Sequence, residues 1–260
     1  MRAPDEQLWA LQDRHFEQAD AELFRWVTVG AGFAETEDAL LAPFLDAGFS
    51  PGLEIGCGEG GNLFRLHHHG TWVGVDRSPA KVAFAATQLP AVRFAAADAS
   101  RLPFGDGAFG AVWVRDLLHH VPAPAHALAE AVRVLAPGGR LTVLEPNGRS
   151  PLIQLQTLLV PAERGARRSG AAHIRGLLES LPLENIELRM LQPLPLRRLV
   201  LHQKLGLPSL GRIRAIKATL AAIEGGLGRF VPRSRWTYVA VTGQRCGLAR
   251  GQPRPFESYS

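Results

Sequence analysis

A chain of 260 residues, 46% of them apolar, can bury a sizeable core, and its apolar runs, broken by Arg, Asp or Gly, are too short for a membrane-spanning helix. Its two cysteines, Cys57 and Cys246, exclude a disulfide framework and lack the paired spacing of a zinc site, and the opening MRAPDEQLWALQDRHFEQAD is acidic and amphipathic rather than leader-like, so a cytoplasmic protein is expected. The net charge of +5 hides an asymmetry: residues 1–150 carry 12 Lys+Arg against 18 Asp+Glu, whereas residues 151–260 carry 17 against 6. Such a basic half can draw in nucleic acid, an anionic surface or an acidic small molecule, and an Arg-rich codon bias produces the same composition.

In chain order, Leu8, Leu11, Phe16, Leu23 and Trp26 fall at roughly helical spacing, and Leu40, Leu41, Phe44 and Leu45 form a second apolar stripe, so residues 1–50 read as helices. Strands are then predicted at Leu53–Gly56, Thr71–Asp76, Val92–Ala97, Phe109–Val114 and Arg140–Leu144, with helices near 60–68, 79–88 and 124–136 between them. Short apolar runs alternating with helical patterns predict a parallel sheet with crossover helices, whose ligands lie at the carboxyl ends of the strands. Beyond Pro146 the pattern loosens. A helix near 171–181, a strand near Asn185–Leu191, a helix carrying Ile213, Ile216, Leu220 and Ile223 on one face, and a strand at Trp236–Thr242 are still legible, and a polar tail from about Gly247 reads as mobile.

The strongest motif is LEIGCGEGGN, Leu53–Asn62, a strand entering a glycine-rich turn and then a helix. Its glycines let backbone approach a ligand, and the helix start offers free N–H groups. Gly56, Gly58 and Gly61 also satisfy the dinucleotide fingerprint, but Glu54, two residues before the first glycine, suits a cationic ligand group better than a pyrophosphate. Asp76 and Asp98 close the next two strands, where either a ligand contact or a turn cap is possible.

Taken together, Glu54–Gly60 (E-x-G-x-G-x-G), WVGVDRSPA, FAAADASRLPF, FGDGAFGAVWVRDLLHHV and LAEAVRVLAPGGRLTVLEP resemble, in order and spacing over roughly residues 50–146, the class I S-adenosylmethionine-dependent methyltransferases. The resemblance implies an α/β fold, a doubly wound, mostly parallel seven-stranded sheet with helical cap elements. Residues 1–50 would form an N-terminal cap and residues 51–246 a catalytic domain with a cap segment inserted at about 150–235, followed by the tail 247–260. It implies S-adenosyl-L-methionine as cofactor, with Asp76 accepting hydrogen bonds from the ribose hydroxyls and Asp98, beside Ala99, binding the adenine amine. The set around them is Glu54, Gly56, Cys57, Gly58, Gly60, Asn62, Arg77 and Arg115.

His119 and His120 follow the fourth strand, and in resembling O-methyltransferases a His at about this place acts as general base; His119 is the better candidate, against the alternative that both only pack. No metal is expected: His67, His68 and His69 close a helix before Gly70 and read as solvated cap residues. Two departures matter. Gly110 stands where many relatives carry Asp, and VWVRDLL lacks the Asn/Asp-Pro-Pro-aromatic element of base-modifying amino-methyltransferases. The resulting expectation is methyl transfer to oxygen or activated carbon of a small apolar or amphipathic molecule, either anionic, which suits the nearby arginines, or lipid-like, which suits the apolar and basic faces of the helix around 212–224. An RNA methyltransferase and a catalytically silent cofactor-binding protein are the competing readings. The oligomeric expectation is a monomer or homodimer.

Overall fold

The computed structural model describes residues 8, 11–12, 16–45, 50–203 and 206–247, so the expected tail lies outside the described residues. Its elements are α1 (Ala21–Val29), α2 (Ala34–Leu41), β1 (Gly52–Ile55), α3 (Leu63–Leu66), β2 (Trp72–Asp76), α4 (Pro79–Gln88), β3 (Arg93–Ala96), β4 (Phe109–Arg115), α5 (Pro124–Val134), β5 (Leu135–Pro146), α6 (Pro151–Leu159), α7 (Ala171–Glu179), β6 (Leu183–Leu191), α8 (Leu196–Val200), α9 (Arg214–Gly228) and β7 (Tyr238–Arg245). Seven strands form one sheet in the order β3-β2-β1-β4-β5-β7-β6. The five strands from β3 to β5 pair in parallel, and β7 runs antiparallel to both β5 and β6.

The central strands are apolar on both faces because helices cover both. Val112 and Val114 of β4 point into one core layer with Leu128 and Val132 of α5 and Ile174 and Leu178 of α7. Trp113, one residue out of phase, points into the other layer with Leu40 and Leu41 of α2 and Leu63 and Leu66 of α3. Each fully buried aliphatic side chain here contributes about 1.5–3 kcal/mol over exposure. Helix starts follow the sequence signals. Ser78 accepts a bond from Lys81 N with Pro79 in the first turn, and Asp20 caps α1 through Glu22 N and Leu23 N.

Three features differ from the sequence expectation. β5 begins at Leu135 rather than Arg140, because Leu135 pairs with Phe109 across a bulge and the Pro-Gly-Gly segment is carried within the strand. The stretch expected as an inserted cap contributes β6 to the sheet itself, and also holds α6 and a 3₁₀ segment, Pro161–Arg168, that the sequence reading missed. The basic half is partly neutralised by the acidic one: Arg198 pairs with Glu37 and Lys217 with Glu35. No helix among the described residues is long and apolar enough to cross a membrane.

Candidate active site at the strand ends

The β1 strand delivers the chain into a tight loop in which Gly56, Gly58 and Gly60 have φ of 76°, 51° and 86°. These left-handed conformations favour glycine. At Gly58 a Cβ would meet nothing within 4 Å, so this backbone faces open space, and its N–H donates to Asp76 Oδ2 at 2.9 Å. Asp76 Oδ1 accepts from Ser78 N, also at 2.9 Å, leaving one lone pair on each oxygen for a ligand. Asp98 is exposed and accepts two bonds from Ser100, N–H and hydroxyl, each 2.7 Å, which hold its carboxyl below the usual range.

A cavity of about 1000 Å³ opens above these strand ends. Of the residues expected to hold a cofactor, Gly56, Cys57, Gly58, Asn62, Asp76 and Arg77 line it along β1 and β2, and Asp98, Ala99 and Arg115 line it from β3 and β4. Two do not line it. Gly60 packs away from it, its Cβ position 3.1 Å from Leu89 and 3.4 Å from Ala85, so its glycine serves helix packing. Glu54 lies wholly buried beneath the floor, with Oε1 accepting from Asn62 Nδ2 at 2.6 Å and Oε2 left without a partner.

Burial pushes the Glu54 carboxyl up to about 8, against the lowering effects of Asn62 and Arg115. The folded protein therefore keeps a proton that the unfolded chain releases near 4.5. The stabilisation it contributes is present at acid pH and is lost as pH rises toward and through the folded value, by up to about 1.4 kcal/mol per pH unit inside the window. Glu54→Gln mimics the protonated acid, so its melting temperature should exceed that of the wild type by a margin that widens from pH 5 to pH 8. A constant margin across that range would remove this account of Glu54.

The predicted histidines stand on a 3₁₀ turn, Leu118–His120, just past β4. His119 is buried, and its Nδ1 lies 2.6 Å from Glu145 Oε2. Glu145, wholly buried at the end of β5, is itself held by the N–H groups of Leu117 and Leu118, both at 2.8 Å from Oε1. His119 Nε2 faces Glu163 Oε2 at 3.4 Å, an ion-pair distance without hydrogen-bond geometry. Burial alone would lower the imidazole, but Glu145 and Glu163 outweigh it and raise it to about 10. His119 is thus held as an imidazolium between two carboxylates, where the sequence suggested a histidine acting as general base. His120 Nδ1 lies 3.0 Å from Gln12 Nε2, and its Nε2 lies 3.9 Å from Glu163 Oε2.

Arg115 and Arg198 also reach the cavity but are engaged: Arg115 Nη2 lies 2.8 Å from Glu37 Oε2, Arg198 bonds the other Glu37 oxygen, and Arg115 Nη1 donates to Asn62 Oδ1 at 2.7 Å. Gln12, Glu37, Glu145, Glu163, Arg198 and Tyr238 are thus site residues that the motif reading did not name. His67–His69 lie apart as a 3₁₀ turn, His67 Nδ1 being 2.8 Å from Leu63 O.

A doubly wound sheet whose antiparallel seventh strand lies between the fifth and sixth, with a glycine loop after β1 and acids after β2 and β3 on one cavity, defines a nucleoside-binding transferase fold. Residues 53–143 match a family model described as a methyltransferase domain. A phthiotriol/phenolphthiotriol dimycocerosates methyltransferase of Mycobacterium leprae is 40% identical over 104 residues, 37% of this chain and 38% of that protein. A 27-O-demethylrifamycin SV methyltransferase of Amycolatopsis mediterranei is 37% identical over 99 residues, 35% of this chain and 36% of that one. The matched stretches span from a third to about half of such relatives' length. Among solved structures, an S-adenosylmethionine-dependent methyltransferase from Thermotoga maritima, titled a possible histamine N-methyltransferase, superposes with a TM-score of 0.61 at 20% identity, covering 92% of this chain and 99% of that one. At that identity the likeness concerns the fold.

Proposed function

We propose that the protein uses S-adenosylmethionine to methylate an oxygen, or an activated carbon, of a small apolar or amphipathic molecule. The observation that carries this reading is that Gly58, Asp76, Asp98, His119 and Glu163 all line a single cavity. The cofactor fits what is present: open space above the Gly58 backbone and acceptor capacity on Asp76, both on the cavity. When bound, it supplies a methyl group on a positively charged sulfur.

The chain's own residues divide the remaining work. Asp76 accepts from the glycine loop at Gly58 N and would offer its spare lone pairs to ribose hydroxyls, and Asp98 would accept from the adenine amine. Phe16, Val27, Leu152, Leu155 and Leu159 give the cavity an apolar wall from the helices flanking the sheet, which favours an apolar acceptor and excludes water. Arg115 and Arg198 are committed to Glu37, so the cavity offers an anionic acceptor less than the sequence charge suggested. The His119 cluster, with one imidazolium and two carboxylates, can accept a further proton, which suits an acceptor hydroxyl that must lose one. The names of the curated relatives, a lipid triol methyltransferase and an O-demethylrifamycin methyltransferase, are in keeping with this class.

The deciding experiment is calorimetry with S-adenosylmethionine and S-adenosylhomocysteine; absence of binding to the wild type ends the proposal. Asp76→Ala should weaken binding by about 30- to 100-fold, the loss of charge-assisted bonds to two hydroxyls. Mass spectrometry of cell extract incubated with a deuteromethyl cofactor then identifies the labelled acceptor.

A further inference from the structure

We propose that His119, His120 and Glu163 form a binding site for a divalent first-row transition metal ion, with Glu145 as its outer partner. One ligand atom from each of the three residues lies within 4.8 Å of the others. A tetrahedral ion with bonds of about 2.0–2.1 Å to nitrogen and oxygen separates its ligand atoms by about 3.3 Å. His119 Nε2 is already 3.4 Å from Glu163 Oε2, and His120 Nε2 is 3.9 Å from the same oxygen. Small side-chain adjustments complete the triangle.

Three further observations point the same way. His119 Nε2 is buried and has no hydrogen-bond partner, although the side chain is only 1% exposed. Its other nitrogen meets Glu145, the carboxylate-histidine arrangement that orients metal-bound imidazoles, and Glu145 is fixed in turn by two backbone N–H groups. All three proposed ligands line the large cavity, so a fourth coordination position faces an incoming molecule. Ligation through His120 Nε2 places that ring's proton on Nδ1. Gln12 Nε2 donates to Ala162 O at 2.8 Å and lies 3.0 Å from His120 Nδ1, so ligation through His120 Nε2 requires His120 and this amide to move apart. Two imidazoles and one carboxylate select zinc, iron(II) or cobalt(II) over magnesium or calcium. The bound ion displaces the shared proton to solvent and involves no electron transfer.

This inference goes beyond methyl transfer and does not rest on it, since the metal is titrated without cofactor. Chelator-treated full-length protein is titrated with Zn²⁺ by calorimetry and with Co²⁺ by visible absorption, in millimolar Mg²⁺. One equivalent should bind with micromolar or tighter affinity and give an intense cobalt spectrum. His119→Ala and Glu163→Ala should each weaken binding at least about 100-fold and His120→Gln comparably. Unchanged circular dichroism and S-adenosylhomocysteine affinity establish that each variant folds. A His67→Ala/His68→Ala/His69→Ala variant should bind as the wild type does. The proposal is overturned by absence of binding, which leaves the cluster as a proton-holding one, by binding that survives the His119 and Glu163 variants, or by binding lost with His67–His69. If metal binds but S-adenosylhomocysteine does not, the methyltransferase reading fails and this one stands.

Discussion

His119→Ala is expected to slow methyl transfer by about 10²- to 10⁴-fold while leaving S-adenosylmethionine affinity within about threefold of wild type. The separation is expected because the proposed cofactor residues Gly58, Asp76 and Asp98 follow β1, β2 and β3, whereas His119 follows β4 and is partnered by Glu145 and Glu163. The imidazole lies between Glu145 at 2.6 Å and Glu163 at 3.4 Å, so its charge and those of the two carboxylates act as one unit. Glu163, half-buried at the cavity surface, is the member best placed to meet an acceptor hydroxyl, and Glu163→Gln should therefore reproduce most of the loss. A role in packing alone predicts something else: reduced melting temperature and cofactor affinity, with turnover per folded molecule preserved. Once the labelled acceptor is known, analogues with a more acidic hydroxyl should narrow the gap between His119→Ala and wild type, because they need less help to lose a proton. Equal defects for acidic and ordinary hydroxyls would remove proton acceptance from the account of the His119–Glu163 cluster.

What could be read from the sequence was whatever a local rule controls. Strands β1 to β4 are short apolar runs closed by Gly, Asp or Arg, and each lies within one or two residues of its expected bounds. Asp76 and Asp98 reach the cavity because strand ends in such a sheet all point there. The partners of His119 came from farther away. Glu145 carried a usable signal, a carboxylate closing the apolar run Leu141–Leu144 by the same logic that singled out Asp76. Glu37 carried one too: the stripe of Leu40, Leu41 and Phe44, extended back by one helical turn, lands on it, and an acid on an apolar face needs a cation. Glu163 and Gln12 carried none, because their positions depend on how a 3₁₀ segment and the N-terminal region fold over the cavity. α6 was missed because its leucines lie on several sides. Leu155, Leu158 and Leu159 are exposed while Ile153 is buried, which blurs the 3.6-residue period.

Glu37→Ala should destabilise the protein by about 3–5 kcal/mol, a large share of the stability of an ordinary domain. Its carboxylate is 5% exposed and stands between Arg115, also 5% exposed, and Arg198, joining α2 to the end of β4 and to α8. Burial by itself would raise its pKa, but the two guanidinium groups outweigh that and hold it at about 2. The carboxylate's stabilising effect is therefore present above the unfolded value of 4.5 and is lost as pH falls toward 2, well below neutrality. Removing it leaves Arg115 and Arg198 without their shared carboxylate, with Asp116, 3.1 Å from Arg115 Nε and 39% exposed, as a near counter-charge. Urea unfolding at pH 7 measures the cost, and added salt should change it little because the pair is shielded from solvent. If the pair rather than packing is responsible, the double variant Glu37→Leu/Arg115→Met should be less destabilised than the sum of its single variants by more than about 1 kcal/mol. A Glu37→Ala cost below 1 kcal/mol, or additive single variants, would mean that solvent reaches this cluster in solution and that α2 is held to the sheet by its leucines alone.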